Sequence, residues 1–183
     1  AWASPDGTQR IDLTGPLTIK RMETVDDEFT KEALRFMDES KKENKPFFLY
    51  LPLASPHTPI LPTKEWQGKS GLNAYADFVM QTDAAVGELL AVLERLRLAT
   101  NTLVIFTSDN GCSPAAGIGE LKAKGHNSSG PWRGHKADIW EGGHRVPLFV
   151  RWPGGKLAHG KDIGELTQVQ DILPTLIQLC GLK

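Results

Sequence analysis

Little in this chain points to a cross-linked or membrane-spanning protein. Its 183 residues include two cysteines, Cys112 and Cys180, too few for a disulfide framework or a metal–thiolate cluster. Long apolar runs are missing: Phe47 to Leu53 is strand-sized, and no stretch reaches the length of a membrane span. An excess of one charge is missing too. Lysine and arginine number 21 against 22 aspartates and glutamates, so the formal net charge is −1 and no global field favours nucleic acid or an anionic membrane. There is no internal repeat and no low-complexity tract. The chain opens Ala1-Trp2-Ala3-Ser4-Pro5 with neither a methionine nor a signal peptide, which reads as a trimmed or partial chain. What is present is ordinary: 40% hydrophobic and 23% charged residues suit one globular domain with a real core.

Apolar spacing places the elements. Residues 1–24 are turn-rich and carry no period. Val25 to Glu43 predicts a helix, with Thr24, Asp26 and Asp27 at its start, a stripe through Phe29, Ala33, Leu34, Phe36 and Met37, and Lys41-Lys42 at its end. Phe47-Phe48-Leu49-Tyr50-Leu51 reads as a strand covered on both faces. Pro52 to Thr63 is a proline-rich loop holding His57. Asn73 to Leu98 is a long amphipathic helix, and the next strand ends at Asp109. Gly111 to His135 is a loop long enough to carry function. Val146 to Trp152 is another strand. Asp171 opens a last helix that runs to Cys180, with Gly181 just past its end. The alternation predicts an α/β fold built on a mostly parallel sheet flanked by helices.

Three polar clusters adjoin the strands. In the run Leu103-Val104-Ile105-Phe106-Thr107-Ser108-Asp109-Asn110-Gly111, a carboxylate and a carboxamide oxygen stand side by side, which suits a hard divalent cation. Asp-Asn-Gly is also a good turn. The second cluster is Ser55-Pro56-His57-Thr58-Pro59. The third is Arg133-Gly134-His135-Lys136, followed by Trp140-Glu141-Gly142-Gly143-His144-Arg145-Val146-Pro147. Parallel strands would bring His57 and Asp109-Asn110 to one sheet edge. A cation, a histidine and an Arg/Lys pair would bind an oxyanion and stabilise charge developing on it. Each piece has a plainer alternative: a solvated histidine, surface charges at Arg133 and Lys136, and a turn at Gly142-Gly143.

These clusters, with Arg151-Trp152-Pro153-Gly154 and Asp171-Ile172-Leu173-Pro174-Thr175, resemble the sulfatases, formylglycine-dependent sulfuric-ester hydrolases of the alkaline phosphatase superfamily. The resemblance covers nearly all residues from about 25 to 183. It implies an alkaline-phosphatase-like fold and roles for individual side chains. Asp109 and Asn110 would be two ligands of an active-site calcium ion. His57 would hydrogen-bond the sulfate ester, and Lys136 would contact its oxygens. Arg133 and His126 would be pocket residues, and Arg145 would anchor structure by pairing with a carboxylate. The substrate would be a small-molecule or glycan sulfate ester, and the compartment periplasmic, extracellular or lysosomal.

The family's nucleophile, a formylglycine made in a Cys/Ser-x-Pro/Ala-x-Arg motif, has no counterpart in the expected place. Asp26-Asp27 sits at a helix start rather than after a strand and is not assigned to calcium. Cys112-Ser113-Pro114-Ala115-Ala116 lacks the arginine that would hold the charged aldehyde hydrate. Ser129-Gly130-Pro131-Trp132-Arg133 fits formally but lies after the Asp-Asn pair, with Trp132 in place of a small polar residue. The expectation is therefore a partial catalytic domain over residues 1–183, incomplete on its N-terminal side, inactive alone and a weak calcium binder. Its apolar sheet edges and faces would lie uncovered. The alternatives are a phosphodiesterase or phosphatase of the same superfamily, and a non-catalytic module that binds sulfated glycans.

Overall fold

The computed structural model describes residues 2–3, 9–10, 14–157 and 160–182. A two-residue ladder pairs β1 (Trp2–Ala3) with β2 (Gln9–Arg10) antiparallel. A short helix α1 (Ile19–Met22) leads into α2 (Val25–Lys42). Arg21 ties the approach down: it pairs with Glu28 at 2.8 Å and donates to the Thr14 carbonyl at 2.9 Å. Helix α2 forms where the spacing predicts, with acidic residues in its first turn and Lys41 and Lys42 in its last, each matched to the helix dipole. Thr24 differs from expectation, because its hydroxyl donates back to the Arg21 carbonyl instead of capping α2.

Helix α3 (Ala74–Arg95) is capped by Asn73, whose side-chain oxygen accepts from the Ala76 amide at 3.1 Å. It packs on α2 through Met37 and Leu93, both nearly inaccessible, and Ala99 in the turn beyond. Leu34, Phe47, Leu49, Leu90 and Val104 close around them. Phe47 meets Phe36 edge-on, with ring centres 5.8 Å apart. Residues 45–54 carry no ladder among the described residues. Phe47 and Leu49 turn inward, while Phe48 and Tyr50 stay 75% and 77% exposed, so one face of this extended segment is bare. The expected strand covered on both faces is thus covered on one.

The sheet also departs from expectation. Strand β3 (Val104–Thr107) pairs with β4 (Leu148–Arg151), and the pairing is antiparallel, from Val104 opposite Arg151 to Thr107 opposite Leu148. A parallel sheet is not formed among the described residues. The loop between the strands returns to the end of β3 and reverses there, and Phe106 and Phe149 pack across the ladder at 6.2 Å. Two helices interrupt segments read as irregular: α4 (Ile118–Ala123) and α5 (Glu141–His144). Helix α6 (Ile172–Leu179) ends as predicted. Gly181 takes a left-handed φ of 64°, and the Leu182 amide returns to the Ile177 carbonyl at 3.0 Å. Phe149, Val150, Leu173 and Ile177 are exposed, so β4 and α6 present apolar faces to no second layer among the described residues. No described helix is long and apolar enough to cross a membrane.

Candidate active site

The antiparallel pairing decides which loops meet. Thr107 at the end of β3 faces Leu148 at the start of β4, so Asp109-Asn110 lies beside the segment that precedes β4. Two backbone bonds then join the loops. The Gly111 amide donates to the Gly143 carbonyl at 2.9 Å, and the Lys136 amide donates to the Cys112 carbonyl at 2.9 Å. A third, from Gly142 to the Arg133 carbonyl at 2.8 Å, folds α5 onto the Lys136 loop. Asp109-Asn110 and Lys136 therefore share one loop cluster. They converge because β4 runs back toward β3.

Glycine makes this junction possible. A Cβ on Gly111 would collide with the Gly142 carbonyl oxygen, and one on Gly142 with the Gly134 carbonyl oxygen. On Gly143 it would strike the Asp138 carbonyl oxygen. Gly142 and Gly143 are buried inside α5, not in a turn before a strand. Only residues without a side chain allow three backbones to approach this closely.

Asp109 is exposed, and its carboxylate has no hydrogen-bond or ion-pair partner among the described residues. Asn110 donates its amide to the Gly111 carbonyl at 3.0 Å, which leaves its side-chain oxygen as a free acceptor. The pair thus offers oxygen ligands of the kind calcium takes, but only part of the six to eight (about that many) such an ion needs. Among the described residues no three His, Cys, Asp or Glu side chains gather into a metal site. The donor chemistry fits calcium as a partial shell.

Lys136 is half-buried, and its ammonium makes no ion pair among the described residues. Ala137 behind it holds a left-handed φ of 74°, a strained value for a residue with a side chain. Arg133 stacks its guanidinium on the Trp140 ring at 3.9 Å. Arg145 stacks on Trp132 at 4.1 Å and pairs with Glu141 at 2.9 Å, the anchoring role expected of it. His126 is exposed and caps the end of α4 through its backbone, with its amide on the Leu121 carbonyl at 2.9 Å.

His57 lies in the loop after the extended segment. Its Nδ1 lies 2.8 Å from the Thr58 carbonyl and 3.3 Å from the Thr58 hydroxyl, so it finds a partner as donor or as acceptor. Among the described residues no hydrogen bond joins His57 to Asp109, Asn110 or Lys136. What holds its loop went unread in the sequence. The carboxylate of Asp26, buried at 6% exposure, accepts from the Ala54 amide at 2.8 Å and the Ser55 amide at 2.7 Å. The Ala54 carbonyl in turn accepts from the His57 amide at 3.0 Å. From α3, Gln81 accepts from the Thr63 amide, and Thr82 donates to the Ser55 hydroxyl at 2.8 Å. Asp26 was read only as a helix-start signal. Its burial and its long-range partners, 28 and 29 positions away, leave no local pattern.

The two segments that imitate a nucleophile motif have structural partners. Cys112 is half-buried against Tyr75, whose hydroxyl is pushed above its usual range by burial and by this neighbour. Ser129 donates to the Gly134 carbonyl at 3.0 Å.

Solved structures identify the fold. The PsFucS1 sulfatase from Pseudoalteromonas sp. superposes with a TM-score of 0.81 at 29% identity, over 96% of this chain and 34% of that one. The architecture is part of the alkaline-phosphatase-like fold of the sulfatases. The sulfatase family profile matches residues 3–182, and the chain belongs to that family. Steryl-sulfatase of Rattus norvegicus is 42% identical over 146 residues, covering 78% of this chain and 24% of the relative. N-acetylgalactosamine-6-O-sulfatase of Bacteroides thetaiotaomicron is 36% identical over 168 residues, covering 90% of this chain and 32% of the relative. The chain thus spans about a quarter to a third of the length of these relatives.

Proposed function

We propose that this chain is the portion of a sulfatase catalytic domain that supplies two calcium ligands and the sulfate-binding lysine for hydrolysis of a sulfate ester. The observation that carries the reading is the loop junction. Backbone bonds at Gly111 and Cys112 hold Asp109-Asn110 and Lys136 together, with their metal-binding and charge-bearing atoms uncommitted. Family membership supports the same chemistry. Calcium, when bound, would supply positive charge to the sulfate group and the nucleophile. Asp109 and Asn110 would hold it through side-chain oxygens. Lys136 would neutralise sulfate oxygens, and a half-buried ammonium does this better than a solvated one. His57, held by the Asp26 clamp, would donate from an Nε2–H to the sulfate ester or its leaving oxygen. Arg133 and His126 would border the pocket. The formylglycine nucleophile and the remaining ligands would come from a segment preceding Ala1 in the parent protein.

The test is turnover of an aryl sulfate by the whole protein that carries this chain, with calcium and after chelation. The reading expects hydrolysis that falls on chelation and drops by at least about 10²-fold in Lys136→Ala. Hydrolysis of a phosphate diester with no activity on the sulfate ester would overturn it.

A further inference from the structure

The loop that carries His57 has little internal support. Between Ala54 and Thr63 stand three prolines, Pro56, Pro59 and Pro62, none with an amide hydrogen to donate. Among the described residues one backbone hydrogen bond lies within this stretch, from the His57 amide to the Ala54 carbonyl at 3.0 Å. The position of the loop is therefore set from outside. Asp26 does this at the Ala54 end. The Thr63 end depends on a different pair, Gln81 of α3 and Asp27 of α2.

Gln81 is 5% exposed, and both ends of its carboxamide are engaged. Its Oε1 accepts from the Thr63 amide at 3.0 Å, and its Nε2 donates to Asp27 Oδ1 at 3.2 Å. The two bonds depend on each other. A carboxamide rotated by half a turn keeps nearly the same shape but presents N–H where it presented oxygen. Facing the Thr63 N–H, that orientation would set donor against donor and strand a buried amide. The Asp27 carboxylate only accepts, so it draws Nε2 to itself and leaves Oε1 for Thr63. Asp27 thus selects the orientation of Gln81 that holds the loop. Two consecutive residues of α2 act on the two ends of one loop, Asp26 directly and Asp27 through α3.

We propose that Asp27 and Gln81 are positioning residues for His57, fixing the far end of its loop to the α2–α3 pair so that the imidazole meets the sulfate ester in one place. The catalytic consequence rests on the sulfatase reading, whereas the anchoring of the loop rests on these contacts alone.

The test uses the whole protein, with turnover of an aryl sulfate and amide exchange at Thr63 as separate readouts. Gln81→Glu keeps an acceptor for Thr63 but sets a carboxylate against Asp27. At neutral pH it should quicken Thr63 exchange about tenfold or more and lower kcat about tenfold, with KM within about twofold of wild type, because a displaced group costs rate more than binding. Adding Asp27→Asn gives the new carboxylate a donor in place of a like charge. The double variant should return both readouts to within about threefold of wild type, which a general weakening of the helix packing would not do. Gln81→Met, similar in length and unable to make either bond, should show the same loss of kcat without an added charge. Quickened exchange with kcat unchanged would overturn the positioning role, and so would a double variant no better than Gln81→Glu. A wild-type protein with no sulfate-ester turnover but the same pattern of Thr63 exchange would instead strike the sulfatase reading and leave the loop anchor.

Discussion

Asp26 illustrates how one buried side chain can organise a loop far from it in sequence. Its two oxygens take two backbone amides of the loop that carries His57, and each is a charge-assisted bond shielded from water. Asp26→Ala would strand both amides, and the expected cost is about 1–3 kcal/mol in chemical denaturation. In the whole protein it should also lower kcat on an aryl sulfate more than it raises KM, because His57 would be misplaced rather than removed. Wild-type stability in this variant would contradict the clamp. Asp77 makes a parallel point about pH. Burial would raise its pKa, but the Ser70 hydroxyl, the Ser70 and Gly68 amides and the charge of Lys124 outweigh it and hold the carboxyl below the usual range. A folded-state pKa below the unfolded value contributes stability above the unfolded carboxylate range, about pH 4, and loses it as pH falls through the folded value. The gap in melting temperature between wild type and Asp77→Asn should therefore be full at neutral pH and close on acidification. The candidate residues were legible as candidates because their types and order survive in sequence: Asp109-Asn110, Lys136 and His57 stand in short recognisable strings. Asp26 stands in no such string, because its meaning comes from partners 28 and 29 positions along the chain.

Among the elements, the loop junction is the most sensitive to a small change. Gly111→Ala would drive a methyl group into the Gly142 carbonyl, with backbone on both sides and no flexible side chain to give way. The expected destabilisation is about 1–3 kcal/mol. Amide exchange at Gly111 and Lys136 should quicken, since those amides carry the junction. Unchanged protection at Lys136 would show that the two loops are held by something else. Helices α2 and α3 were readable because apolar spacing over several turns is a strong signal, and α6 from Asp171 before it and Gly181 after it. The direction of the sheet was not. Apolar runs such as Val104–Thr107 and Leu148–Arg151 look the same whether they pair parallel or antiparallel, and two short helices between them leave room for the chain to reverse. Helix α5 was missed because Gly142 and Gly143 are poor helix formers, selected here for close approach rather than propensity.

At the scale of the whole molecule, the exposed apolar faces of residues 47–51, β4 and α6 and the partial donor set at Asp109-Asn110 have one physical reading. Both accord with a chain that spans about a quarter to a third of the length of its relatives. The 183-residue chain prepared by itself should give no turnover of an aryl sulfate and should bind calcium weakly, with an affinity that Asp109→Ala lowers further. Robust hydrolysis by the isolated chain would refute this. A crystal structure of the whole protein with calcium and sulfate would decide whether Asp109, Asn110 and Lys136 form one side of a calcium–sulfate site. Side-chain oxygens of Asp109 and Asn110 should lie at about 2.3–2.6 Å from the ion, with the Lys136 ammonium in hydrogen-bond contact with the sulfate. An ion bound without either residue, or a sulfate out of reach of Lys136, would contradict it.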